Sequence, residues 1–157
     1  MDGWLVALGW RPTETPLALI GARLIVAAAL SAVIGIEREA HDSDAGLRTH
    51  VLIGVAAALF TALVFEIYAS VGGAGSGNAD PIRAVEAITA GVAFLGAGAI
   101  FREKDRVKGL TTGAGMWLAG AIGMACALGH YGIAAVAAAL GFVVLKVFKA
   151  ILRGTGP

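Results

Sequence analysis

Charge is what this 157-residue chain has least of: 15% of its residues are Asp, Glu, Lys or Arg, against roughly 25% in a soluble domain. Hydrophobic residues make up 58% and the mean hydropathy is +0.82, so the deficit excludes an ordinary water-soluble globule and leaves a membrane composition. With a net charge of +1 and one short basic run at 102–108, nucleic-acid binding has no electrostatic footprint. Cys126, the single cysteine, stands in the apolar run GMACALG. It excludes an intrachain disulfide and packs as a small hydrophobe. The opening stretch, MDGWLVALGWRPTETP, has neither the positive n-region nor the A-x-A-like cleavage site of a secretory signal peptide. Trp4 and Trp10 fit interfacial anchors instead.

Catalytic patterns are missing as well. There is no G-x-S-x-G and no H-E-x-x-H, and His41, His50 and His130 are scattered. Gly96 and Gly98 form G-x-G, but Phe101 stands where a dinucleotide loop needs its third glycine, and no Walker sequence occurs. The expectation is a protein that is not an enzyme and carries no cofactor; whether a metal binds is left open.

What is present is a series of apolar windows of the length that crosses a bilayer, about 20 residues. They run Leu17–Ile36, His50–Ala69, Pro81–Phe101, Thr111–Gly129 and Tyr131–Phe148. Helix is the open-chain form that satisfies its backbone in lipid, so the reading is all-α: residues 1–157 as one polytopic bundle of about five transmembrane helices. GHYG at 129–132 makes either a very short turn or the bend of one long helix, which leaves four or five spans. Basic residues alternate between connectors: Arg38 and Arg48 in the first, none in 70–80, four in 102–110, none near 130, and Lys146, Lys149 and Arg153 at the end. The positive-inside rule then places the N-terminus outside and the C-terminus in the cytoplasm.

Two features suggest how the helices meet. Gly115, Ala119, Gly123 and Ala127 recur every four residues in the fourth span, and Ala87, Gly91 and Gly98 lie along one face of the third, with Gly96 beside it; such stripes bring backbones close. Charges within spans are costly, and Arg23, Glu66 and Glu86 need explaining. Arg23 and Glu86 reach similar depths and could pair. With Glu66, Arg83 and bordering Asp80 they would form an outward-facing charged layer, unless Arg23 and Glu66 snorkel to the interface. On the inner side GIERE, GLRTH, GAG and GLTTG converge. Arg38 and Arg48 there can serve topology alone, and Thr111 and Thr112 can cap the fourth helix. Alternatively Glu37, Arg38, Gly46, Arg48 and Thr49, with Gly109, Thr111 and Thr112, form a polar cap that binds a partner, lipid or ion.

GIERE, AGLRTHVLIGVAAALF, DPIRAVEAITAGVAFLGAGAIF and VKGLTTGAGMWLAGAIGMACALGHY resemble, in order and spacing from about 20 to 131, the MgtC/SapB family of bacterial inner-membrane proteins. By motif the resemblance falls on Glu37 and Arg38, Gly46 to Thr49, Asp80 and Arg83, Gly96 and Gly98, and Gly109 to Thr112. It implies a multi-pass bundle of four or five helices in the bacterial inner membrane, linked to growth under low magnesium and, in pathogens, to virulence. Some members are understood to restrain the F-type ATP synthase. Many members continue into a C-terminal ACT-type domain, which is expected to be lacking here, and glycines at 113 and 115 replace a more alanine-rich start to the fourth span. The expected function is therefore regulation of another membrane complex, with the lipid bilayer, a membrane-protein partner or a second copy as contacts. Transport of magnesium or another ion is the alternative. Magnesium keeps its waters and prefers carboxylates, which suits poorly a path lined by arginine.

Overall fold

The computed structural model describes residues 7, 9, 11–40, 43, 45–71, 80–103 and 106–154, with side chains as far as Lys146. Trp4, Trp10, His41, Lys104 and the side chains of Lys149 and Arg153 lie outside the described residues. Among those described, five helices and one hairpin follow in order: α1 (Leu17–Glu39), α2 (Leu47–Ser70), α3 (Pro81–Gly98), β1 (Phe101–Glu103), β2 (Arg106–Lys108), α4 (Leu110–Ala127) and α5 (Tyr131–Gly154). Three of them, α1, α2 and α4, are long and apolar enough to cross a membrane. The other two are α3, which carries Arg83 and Glu86 in its first turns, and α5, whose described apolar part is Tyr131–Lys146.

Local chemistry sets the boundaries. Asp80 caps α3, its Oδ1 accepting from the Ile82 N–H at 2.9 Å, and Pro81 occupies the first turn where no donor is needed. The third apolar run was expected to stay helical to Phe101, but α3 stops at Gly98 and Phe101 already belongs to β1. The charged residues that follow are better placed in a ladder than in a helix that would carry them along an apolar axis. Phe101 pairs with Lys108, Arg102 with Val107 and Glu103 with Arg106, and an ion pair joins Lys108 to Glu103. Gly109, at φ 82°, turns β2 into α4. GHYG resolves into two helices. Gly129, at φ 78°, donates to the Cys126 carbonyl at 3.0 Å and His130 donates to Ala125 at 2.8 Å, the paired bonds that close a helix on a left-handed glycine.

Helix α4 is the centre of the bundle, packed against α1, α2, α3 and α5. Ten of its 18 residues are buried, most of them glycine or alanine, whereas α3 buries only Val92 and Gly96. One core cluster joins Ala27 and Ile34 of α1, Ala58 of α2, Ile122 and Cys126 of α4, and Ala134 of α5. A second joins Ile53, Val92, Met116 and Ala119 across α2, α3 and α4. Cohesion in such a bundle comes from short distances between backbones rather than from expelling water, because lipid is as apolar as leucine.

Candidate functional site

The ends of α1 and α3 and the starts of α2 and α4 meet at the end of the bundle that carries the hairpin. Two close approaches fix this: the position a Gly35 Cβ would take lies 2.8 Å from Leu47 Cα, and that of Gly113 lies 2.8 Å from the Gly96 carbonyl. Within this junction Arg38 Nη2 donates to Thr112 Oγ1 at 3.1 Å, while Nη1 stands 3.9 Å from Glu37 Oε2. The two charged side chains are only 14% and 4% exposed. Glu39 extends the fastening, since its Oε2 accepts from the Leu47 N–H at 2.9 Å and satisfies a free donor at the start of α2.

Beneath this layer lies His50, fully buried, with Nδ1 donating to the Gly46 carbonyl at 2.8 Å. In the neutral ring that bond leaves Nε2 as the lone-pair nitrogen. Gly115 admits the ring, for a Cβ there would stand 2.9 Å from Nε2. Further in, fully buried Ser31 of α1 faces Gly54 of α2. Among the described residues neither His50 Nε2 nor Ser31 Oγ has a hydrogen-bond partner.

The expected inner cap is therefore gathered in part. Glu37, Arg38, Gly46, Gly109 and Thr112 take part in the junction, whereas Arg48 and Thr111 are exposed and Thr49 is half-buried with no bond to the others. Thr112 does not cap α4, which has no side-chain cap; its hydroxyl serves Arg38 instead. His50, Ser31 and Glu39 escape sequence reasoning. Spacing alone could have found the His50–Gly46 bond, four residues apart on a helix, but the glycines facing His50 and Ser31 come from other helices.

At the opposite end the five charged residues do not form one layer. Arg23 Nη1 donates to the Ala127 carbonyl at 2.9 Å and so caps the negative end of α4. Glu66 accepts from the N–H groups of Glu14 at 2.7 Å and Thr15 at 2.9 Å, tying the end of α2 to the segment before α1. Arg83 reaches Asp80 at 4.0 Å with both largely exposed, and Glu86 is exposed. Arg23 does not pair with Glu86: its guanidinium is taken by Ala127, and α1 packs on α2, α4 and α5 rather than on α3. Of the packing stripes, Gly96, Gly115, Ala119 and Gly123 sit at helix contacts, while a Cβ on Gly91 or Gly98 would meet nothing within 4 Å. Gly91 instead lines an apolar cleft of about 460 Å³ between α2 and α3, with Ile53, Ala57, Phe60, Val64 and Ala87.

No group of three or more His, Cys, Asp or Glu side chains able to hold a metal occurs among the described residues. Comparison with known proteins gives the family. The MgtC family profile matches residues 24–153. A YhiD protein of Escherichia coli (strain K12), whose name proposes it as a magnesium transporter, is 40% identical over 126 residues, covering 80% of this chain and 59% of that protein. Protein MgtC of Brucella abortus (strain 2308) is 39% identical over 145 residues, 92% of this chain and 54% of that protein. Protein MgtC of Salmonella typhimurium (strain LT2) is 38% identical over 108 residues, 69% of this chain and 43% of that protein. The chain thus spans about half the length of the curated relatives it matches. No solved structure matches it. The chain belongs to the MgtC family and is a membrane protein.

Proposed function

We propose that this MgtC-family chain is a non-enzymatic, multi-pass protein of the bacterial inner membrane that regulates another membrane complex, the F-type ATP synthase being the first candidate, during adaptation to low magnesium. The observation that carries this reading is where the polar groups are spent. Arg38, Thr112, Glu39 and Arg23 fasten helix ends to one another, and the open cleft between α2 and α3 is apolar. A bundle built this way offers surfaces for helix contact rather than a lined path for an ion. By the positive-inside rule the hairpin faces the cytoplasm and α3 and α5 complete a five-span bundle.

The test is ATP-driven proton pumping by inverted inner-membrane vesicles with and without the overproduced protein, together with crosslinking and pull-down from native membranes. Reduced pumping with the synthase recovered in the pull-down supports regulation; unchanged pumping and no co-purified complex refute it. One observation favours magnesium transport as a second reading: buried, unpartnered Ser31 and His50 follow one another between α1, α2 and α4, and a relative is named for that transport. Saturable magnesium uptake by liposomes holding the purified chain, lost in Ser31→Ala and in His50→Leu, would put this reading first.

A further inference from the structure

Helix α3 leaves most of itself uncovered. A helix advances about 100° per residue, so Arg83, Ala87, Ala90, Phe94 and Ala97, spaced alternately by four and three, form a stripe opposite Val92 and Gly96, the two positions α3 buries. Every member of the stripe is exposed, and Phe94, at 79%, is the most exposed large hydrophobic among the described residues. A 4-3 spacing of small residues with one aromatic is a seam that a parallel helix can join. Apolar exposure means little where the solvent is lipid, so the charges at the end of the stripe decide the occupant.

Arg83 and Glu86 are one turn apart, opposite in sign and exposed; among the described residues Arg83 has only Asp80 at 4.0 Å, and no hydrogen bond or ion pair reaches Glu86. A carboxylate on the outward side of an apolar helix is costly without a partner. Two copies inserted in the same orientation about a two-fold axis along the membrane normal keep equal residues at equal depth. The two copies' Arg83 side chains then meet at one depth, but an arginine side chain spans one helical turn, so each has the reach to turn aside to the partner's Glu86 and leave the surface with paired charges. The cleft beside Gly91, about 460 Å³, lies one turn along from Phe94 on the same helix. At matching depth it has room for the partner's Phe94.

We infer that the outward face of α3 is a self-association surface, on which a second copy of this chain seats its own α3 in parallel, with Arg83 paired to the partner's Glu86. This goes beyond the proposed regulatory role and does not depend on it. The full chain, reconstituted in liposomes in a Cys126→Ser background, tests it through Ala90→Cys under mild oxidation. A disulfide-linked product of two copies is expected, and Val136→Cys on exposed α5 should give far less. Equal crosslinking at both positions, or none at 90, would overturn the inference and leave lipid as the occupant of the cleft. In parallel, energy transfer between differently labelled copies should show the dimer dissociation constant rising about tenfold for Arg83→Glu and for Glu86→Arg, and returning when both are combined. Failure of the double reversal to restore association, in proteins whose circular dichroism matches the parent, would also overturn it.

Discussion

Gly123 and Gly21 are both helical glycines, and replacing each by alanine should move stability in opposite directions. Alanine gains about 0.5–1 kcal/mol over glycine in a helix interior where nothing else changes. At Gly21, early in α1, a Cβ would meet nothing within 4 Å, so that gain is kept. At Gly123 the Cβ would be driven into the Gly54 carbonyl, nearer than real atoms approach, and the obstacle is backbone rather than a side chain that can rotate. Overpacking of this kind costs about 1–3 kcal/mol, and a fixed neighbour puts the cost in the upper part of that range. The net loss for Gly123→Ala is then about 1–2 kcal/mol. At about 2–4 °C per kcal/mol for a chain of this size, the detergent-solubilised protein should melt roughly 2–8 °C lower, and Gly21→Ala roughly 1–4 °C higher. Tryptophan-fluorescence melts of parent and variants in one detergent check this. Equal melting temperatures, or Gly123→Ala melting above the parent, would refute the claim that α2 and α4 cross backbone to backbone at Gly54 and Gly123.

Other outcomes follow from the same contacts. Thr112→Val should lower stability by about 1–3 kcal/mol, because it removes the acceptor of a nearly buried guanidinium, while Thr111→Val on the exposed side should stay within about 0.5 kcal/mol; chemical or thermal melts separate them. Arg23→Leu should be worse tolerated than Glu86→Gln, since the first uncaps α4 at Ala127 and the second changes an exposed group, and equal losses in a detergent melt would contradict this. With Val107→Cys in a Cys126→Ser background, a membrane-impermeant maleimide should label inverted vesicles and spare intact cells with a permeabilised outer membrane; labelling from the periplasm would reverse the assigned topology.

The helices were readable because their signal is length: about 20 apolar residues bounded by charge or glycine. The central role of α4 was half readable, in that Gly115, Ala119 and Gly123 do sit at contacts. Gly91 carried the same pattern and makes no such contact, because a stripe of small residues states that a neighbour can approach and not that one does. The charged residues misled for a different reason. Depth along a helix was legible, so Arg23 and Glu86 came out level. Which helices are neighbours was not, and α1 packs on α2, α4 and α5 rather than on α3. Glu66 and Glu39 went to backbone N–H groups, partners present at every residue and therefore invisible to any search for opposite charges.

The buried polar groups and the close helix crossings have a common origin. Gly54 lies against Ser31 on one side and, through its carbonyl, against Gly123 on the other; Gly115 lies against His50, whose Cβ borders Gly35. Each glycine that lets two backbones approach also leaves the width of a missing side chain, and a small or flat polar group occupies it. His50 stays next to the centre of the bundle because its Nδ1 proton is held by its own helix at Gly46, so one ring nitrogen needs no partner from α1 or α4. The other nitrogen and the Ser31 hydroxyl are carried unpaired, at a cost a well-packed alanine core would not bear. That cost is concentrated on the α1, α2 and α4 contacts, directly under the junction of Arg38 with Thr112, where a change in helix spacing would be felt first.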